Sequence, residues 1–471
     1  MKNNILTLGI RLLFLISFSI QAQEVKSVHE LFTALKAHPQ TKGDVLAFET
    51  ATAGKQLAFS NLFPTITAFT SFDVYNVPTA MLPITPNETT YLVQNQQIEQ
   101  PFSDQIYRAG VSISMPLFVK SIYTTTSKAK HLQQSAQAKQ QINLLQNEAI
   151  IVSSNANLLY IDALTKALES KKNSLLKTKE IIELKVENGR APGSSLLIIN
   201  NGINQVEATK NEIAINKEQA IYAIETLTGI RVDTPIQMFE TSVIDSSALK
   251  ALEPLEQKVL ADKLAHRAEK EKLLPSVVLR GNYVYSSGNA YNNDISINTD
   301  YSTIGVVVSM PIFNKNQLSE IKKSKLSYDT SLNEFEKLEL SLKSQAIQLK
   351  NSLELLYKSE KLYQQNIQDK EEILNISKTS YQSARISIED FLKYEDDVVL
   401  EKSKLYKAQA EKWQTLMKLA VIYGNNIENL VIYSRKDKVY VDVNPISLLK
   451  ILGLSTSNSS KIVDVTSVAT N

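Results

Sequence analysis

The 471-residue chain contains no cysteine, which excludes disulfides, thiolate metal sites and the acylated N-terminal cysteine of a lipoprotein. Glycine and proline are scarce, at 13 each, and such sparse punctuation suits long helices. After the N-terminal segment no apolar run of about 18 residues occurs, so no membrane-spanning helix is expected there. Neither sign of charge dominates: 51 Lys and Arg stand against 49 Asp and Glu, whereas a nucleic-acid binder would carry a basic excess on one face. The chain is therefore either soluble once exported or enters a membrane as a barrel.

Motifs for chemistry are also missing. His29, His38, His131 and His266 lie far apart with no metal-ligand spacing. Walker loops, nucleophile elbows and dinucleotide glycine patterns are absent, and Gly54-Lys55 lacks the upstream glycine of a phosphate loop. The adjacent carboxylates Asp396 and Asp397 fall on a helical pattern and are expected to face water. No enzyme, catalytic residue, metal or cofactor is expected.

What is present begins with Met1, Lys2 and an apolar run from Ile5 to Ile20 leading to Gln21-Ala22-Gln23, the pattern of a secretory signal peptide over residues 1–22. Beyond it the chain repeats itself. Gly110 to Phe118 reads GVSISMPLF and Gly305 to Phe313 reads GVVVSMPIF, with six of nine positions identical. The same offset of 195 carries Gly189-Arg190 onto Ala384-Arg385 and Leu227-Thr228-Gly229 onto Ile422-Tyr423-Gly424. Upstream, Leu62-Phe63-Pro64 corresponds to Leu273-Leu274-Pro275 at an offset of 211, so the first copy carries an insert 16 residues longer. That insert, from about Asn76 to Ser103, reads as a surface loop, with a shorter counterpart from Ser287 to Asp300.

Between Pro311 and Gly424 there is neither Gly nor Pro, and Phe335, Leu338, Leu342, Ala346, Leu349, Leu353 and Leu356 step by three and four. This spacing predicts one face of a long helix in coiled-coil-like packing. Residues from about 120 to 188 behave likewise, and Asn188 to Ser195 then stop one helix and start another, so each copy forms a long antiparallel hairpin. Before each hairpin lie two alternating segments. Ile66, Ala68, Phe72 and Val74 oppose Thr65, Thr67, Ser71 and Asp73, and Val111, Ile113 and Met115 oppose Arg108, Ser112 and Ser114. In the second copy Val277, Leu279, Tyr283 and Tyr285 oppose Ser276, Arg280, Asn282 and Ser286, and Ile304, Val306, Val308 and Met310 oppose Ser302, Gly305 and Ser309. Their length suits transmembrane strands of about 9 to 11 residues. A soluble sheet with one wet face gives the same alternation; the signal peptide and the long helices favour the membrane. Tyr283, Tyr285, Phe69, Tyr75 and Tyr107 suit an interfacial girdle. Four strands cannot close in lipid; two chains would give a filled eight-stranded barrel, three a twelve-stranded one with room for a passage.

These residues resemble the TolC-type outer-membrane efflux proteins. The resemblance rests on Ala34 to Pro39 followed by Phe63-Pro64, on the strand endings Met115 to Phe118 and Met310 to Phe313, on the tip from Ser380 to Leu392, and on Leu227-Thr228-Gly229. It implies a mainly α fold with membrane β: duplicated long helical hairpins forming a trimeric α-barrel continuous with a shared twelve-stranded transmembrane β-barrel, four strands per chain. The implied location is the outer membrane, in contact with its lipid and with a large periplasmic extension. The implied partners are two further copies, a periplasmic adaptor and an inner-membrane pump. The expected division is a first repeat over 23–235 (strands about 64–75 and 106–116, hairpin 119–228), a second over 236–433 (strands about 275–286 and 302–311, hairpin 314–423) and a peripheral tail over 434–471.

The resemblance further implies that the hairpin tips, around Gly189 to Ser195 and Ala384 to Asp390, meet the adaptor and open like an iris. Asp390 matches the first position of an acidic ring found in some members, whereas the second position is Lys393 here; the tip glycine is kept as Gly189 and replaced by Ala384. Three copies of Asp390 near one axis would raise one another's pKa values; alternatively Asp390 caps the returning helix, as Ser195 would in the first copy. Arg190 and Arg385 either pair across the tips and hold the end shut or are solvated surface charges. Rival functions are an exit duct for drugs or metals, the same duct for proteins or peptides, and a soluble periplasmic coiled-coil scaffold or adaptor.

Overall fold

The computed structural model describes residues 27–432; the signal-peptide segment and the tail from 434 onward lie outside them. Two short helices open the chain, α1 (Val28–Ala37) and α2 (Pro39–Ser60), with Pro39 at the first turn, where a missing N–H costs nothing. Strand β1 (Thr65–Ala80), α3 (Pro86–Gln94) and β2 (Phe102–Phe118) follow, then the long helices α4 (Lys120–Glu187) and α5 (Ser194–Thr228). After β3 (Phe239–Glu240) the second half runs α6 (Glu253–Glu271), β4 (Ser276–Asn289), β5 (Ser296–Ser309), α7 (Lys315–Gln382), α8 (Ile388–Tyr423), α9 (Ile427–Leu430) and β6 (Val431–Ile432).

Helices α4 and α7 each hold 68 residues and start and stop 195 positions apart, giving rods of about 100 Å. Helices α5 and α8 end on Gly229 and Gly424, both left-handed at φ 72° and 69°, which terminates each helix without a Cβ penalty. Helix α4 lies at the centre of the helical layer, packed on α2 and α6 toward the strands and on α5 and α8 toward the tips; α7 packs on α6 and α8. One core joins α1, α4, α5, α8 and α9 through residues such as Phe32, Ile151, Ile221, Trp413 and Met417. A second runs toward the tips through Leu168, Leu175, Ile182, Ile199 and Phe391.

Strands β1, β2, β4 and β5 form one antiparallel sheet in that order, while β3 and β6 pair separately. The strands are longer than the sequence suggests, because pairing continues past the alternating stretch: Thr79 and Ala80 pair with Ser103 and Phe102 after a shift in register, and Asn289 pairs with Ser296. The insert of the first copy is not a plain loop. Pro86 starts helix α3, and Thr85 and Glu88 close a capping box on it. The segment before it returns over one face of the sheet, where Ser286 Oγ donates to the Met81 carbonyl at 3.0 Å.

Candidate functional site

The sheet register sorts side chains onto two faces. Ile66 pairs with Ile113, Ile113 with Gly281 and Gly281 with Ile304; Leu279 lies between Met115 and Val306. One face therefore carries Ile66, Phe72, Val74, Tyr107, Val111, Leu279, Tyr283, Tyr285, Ile304, Val306 and Val308. Ile304 is 82% exposed and Ile66 67% exposed in the single chain. Apolar side chains left this open need a partner other than water.

The opposite face carries Thr67, Ser71, Asp73, Arg108, Ser112, Arg280, Asn282, Ser286 and Thr303. Arg108 Nη1 donates to Asp73 at 2.7 Å and to the Tyr75 hydroxyl at 3.0 Å, and its guanidinium lies 5.8 Å from the Tyr75 ring centre. Two sequence assignments are corrected here. Ser302 pairs with Tyr283 on the apolar face, because its position is even along the strand like that of Ile304. Phe69 and Tyr75 belong to the polar face, not to an outer girdle: Phe69 pairs with Gly110 and its ring fills the space a Cβ there would occupy.

At the far end the two tips share a backbone device. Gly189 and Ala384 are left-handed at φ 67° and 58°. Arg190 N–H reaches back to the Lys185 carbonyl at 2.7 Å, and Arg385 N–H to that of Ser380 at 2.8 Å. Asp390 sits at the third position of α8 and closes a capping box with Ser387: its carboxylate accepts from Ser387 Oγ at 2.9 Å, and its N–H donates to that Oγ at 3.1 Å. Ser195 makes no such cap. Gly193 occupies the cap position of α5 in a helical conformation, and no side chain caps that end. Arg190, Arg385 and Lys393 are exposed and make no ion pair among the described residues.

Besides the apolar core that reaches them, the tips are joined by a pair of contacts with no sequence signature. Lys185 Nζ of α4 lies 5.0 Å from the Tyr381 ring centre at the end of α7, and Tyr381 stacks on Phe391 of α8 at 5.3 Å. Burial pushes the Tyr381 hydroxyl pKa up, and Glu389 adds to it. A short distance along the seam Glu395 is buried, its pKa raised by loss of water, while Ser174, which donates to it, and Lys171 pull it back. Asp396 faces water, as expected, while pairing with Lys171; Asp397 is half-buried and pairs with Lys370. The histidines meet separate partners, His29 with Glu428, His131 with Gln257 and His266 with Ser324. Among the described residues no group of three or more His, Asp or Glu is arranged to hold a metal ion, and no helix is long and apolar enough to cross a membrane.

Residues 251–425 match the family model described as outer membrane efflux protein. No curated protein matches the chain. Solved structures match nearly all of it at low identity. The Campylobacter jejuni CmeC outer membrane channel superposes with a TM-score of 0.70 at 16% identity, over 87% of this chain and 87% of that one. The outer membrane protein VceC of Vibrio cholerae gives 0.71 at 14% identity, over 84% and 96%. The open state of the Neisseria gonorrhoeae MtrE outer membrane channel gives 0.67 at 16% identity, over 86% and 90%. The fold is that of outer-membrane channels, helical hairpins beneath a four-stranded sheet, and the family resemblance read from the sequence stands.

Proposed function

We propose that this chain, similar over residues 251–425 to outer membrane efflux proteins and folded like outer-membrane channels, is one third of a passive exit duct in the outer membrane. The reading is carried by the sheet. Its register puts Ile66, Phe72, Val111, Tyr283, Ile304, Val306 and Val308 on one face and Thr67, Asp73, Arg108, Ser112, Arg280 and Asn282 on the other, so the first face is the more apolar although Phe69, Val278, Val284 and Val307 lie on the second. Strands β1 and β5 each keep an unpaired edge, and an open edge in hydrocarbon costs several kcal/mol for every unsatisfied backbone group. Neighbouring chains complete the ring: three copies give twelve strands and a passage, whereas eight strands would be filled by their own side chains.

In this arrangement the polar face lines the passage, the long helices continue it into the periplasm, and the tips meet a periplasmic adaptor that connects to an inner-membrane pump. Gly189, Arg190 and Ser195 on one tip, and Ala384, Arg385, Asp390 and Lys393 on the other, form the adaptor-facing end. Asp390 holds its helix start there, and the seam between Lys185, Tyr381 and Phe391 adds to the apolar packing of Ile182, Val186, Leu196 and Ile388 that keeps the tips together. A soluble scaffold has no use for an exposed apolar sheet face.

The test is the purified chain in detergent and in planar bilayers. A trimer mass together with stepwise ion conductance is the expected result. A stable aqueous monomer that never conducts would overturn the proposal.

A further inference from the structure

We infer that Arg280 makes the strand-lined part of the passage favour anions over cations. The inference rests on the duct reading, in which the polar sheet face lines the lumen. By register Arg280 lies on that face, between Ser114 on β2 and Gly305 on β5. Both neighbours are small, and nothing lies within 4 Å of where a Cβ on Gly305 would sit, so no cross-strand side chain covers the guanidinium. Arg280 is exposed and has no hydrogen bond or ion pair among the described residues.

Arg108, the other arginine of the face, is already neutralised at 2.7 Å by Asp73. Asp73 is the one carboxylate among the paired positions of this face, since Asp300 pairs with Tyr285 on the apolar side. Asp104 lies about ten residues farther along β2 than Ser114, so at the height of Arg280 each chain contributes one uncompensated positive charge, and three copies place it at a single height around the passage. A ring of like charge held by low-dielectric walls raises the local concentration of counter-ions and lowers that of co-ions. Its reach is the Debye length, about 10 Å at 0.1 M salt and about 30 Å at 0.01 M, so the preference strengthens as salt falls.

The experiment uses the full chain in planar bilayers under a KCl gradient of about 0.1 M against about 0.01 M, where screening is weak. Arg280→Gln is expected to lower the chloride-to-potassium permeability ratio about twofold, and Arg280→Glu to lower it further, with both differences fading near 1 M salt. Because the chain has no cysteine, Arg280→Cys supplies a single thiol. A positively charged water-soluble thiol reagent should restore the preference for chloride and a negatively charged one should reverse it. An unchanged reversal potential in Arg280→Glu, with the channel conducting, would overturn the inference and leave the duct standing. A thiol that reacts only with lipid-soluble reagents would overturn the assignment of the face. If the unsubstituted chain passes no current, the duct fails and the selectivity inference falls with it.

Discussion

Ala384 adopts φ 58° at a place where the first tip has Gly189 at φ 67°, and a side chain in the left-handed region costs about 1–2 kcal/mol. Nothing lies within 4 Å of a Cβ built on Gly189, so strain rather than collision sets the difference between the tips. Ala384→Gly should therefore stabilise the second tip by about 1 kcal/mol and Gly189→Ala weaken the first by a similar amount. Amide hydrogen exchange at residues 380–388 and 185–193 reads both; equal exchange in parent and variants would contradict the account. Glu148 is a different case. It is 4% exposed, and its carboxyl is pushed up to about 7, chiefly by removal from water, with Lys36 lowering and Glu428 raising it. Unfolded, it titrates near 4.5. Between those values the folded chain binds more protons than the unfolded one, so stability falls as pH rises from about 4.5 to about 7 and levels off above. The loss is at most about 3 kcal/mol. Glu148→Gln should flatten that slope and raise the melting temperature at pH 8 relative to the parent; melting curves that shift in parallel with pH would exclude Glu148 as the source.

Among the elements, the seam between the hairpins depends on Tyr381, which meets Lys185 on one side and Phe391 on the other. Tyr381→Ala removes both contacts, together about 1–2 kcal/mol. It should speed hydrogen exchange in the last turns of α4 and α7 and lengthen open times in bilayers. Unaltered gating with accelerated exchange would mean that the contact stabilises the tips without restraining opening. The long helices were legible in the sequence because apolar steps of three and four continue where Gly and Pro are absent, and the strands because alternation has a period of two. Helix α3 was not, since Pro86 within a run of Asn and Thr reads as loop until Thr85 and Glu88 are seen to cap it. The seven tip residues were proposed from repeat alignment and family pattern. Lys185 and Tyr381 were not, because a cation over a ring in a separate helix leaves no spacing to detect. The cap expected at Ser195 failed for a local reason: Gly193 already turns into the helix, leaving Ser195 one position inside it.

For the whole molecule the informative helix is α7. Of its 68 residues only Ser331, Ala346, Ile367 and Ser377 are buried, while Leu318, Leu326, Leu340, Ile347, Leu355 and Leu362 are exposed. At about 100° per residue these six fall on one stripe about 100° wide, turned away from the buried positions. The opposite border of the chain exposes Leu46 and Leu57 on α2 and Leu197, Ile215 and Tyr222 on α5. An apolar stripe at one border and scattered apolar residues at the other are what a ring of like subunits buries at each joint. The sheet has the same need, with β1 and β5 unpaired at its two edges. Helical and strand joints must then close together, since an open edge in hydrocarbon leaves backbone groups unsatisfied. Leu340→Asp combined with Leu355→Asp places two charges in the helical joint without touching the sheet. The hairpins should keep their helicity by circular dichroism, because neither side chain packs within the chain. If three copies form the proposed ring, the mass in detergent should drop from three chains to one, and the protein should wash out of membranes with carbonate. If the double variant stays in the membrane as a trimer, the strands alone hold the ring and the stripe on α7 faces something other than a second copy.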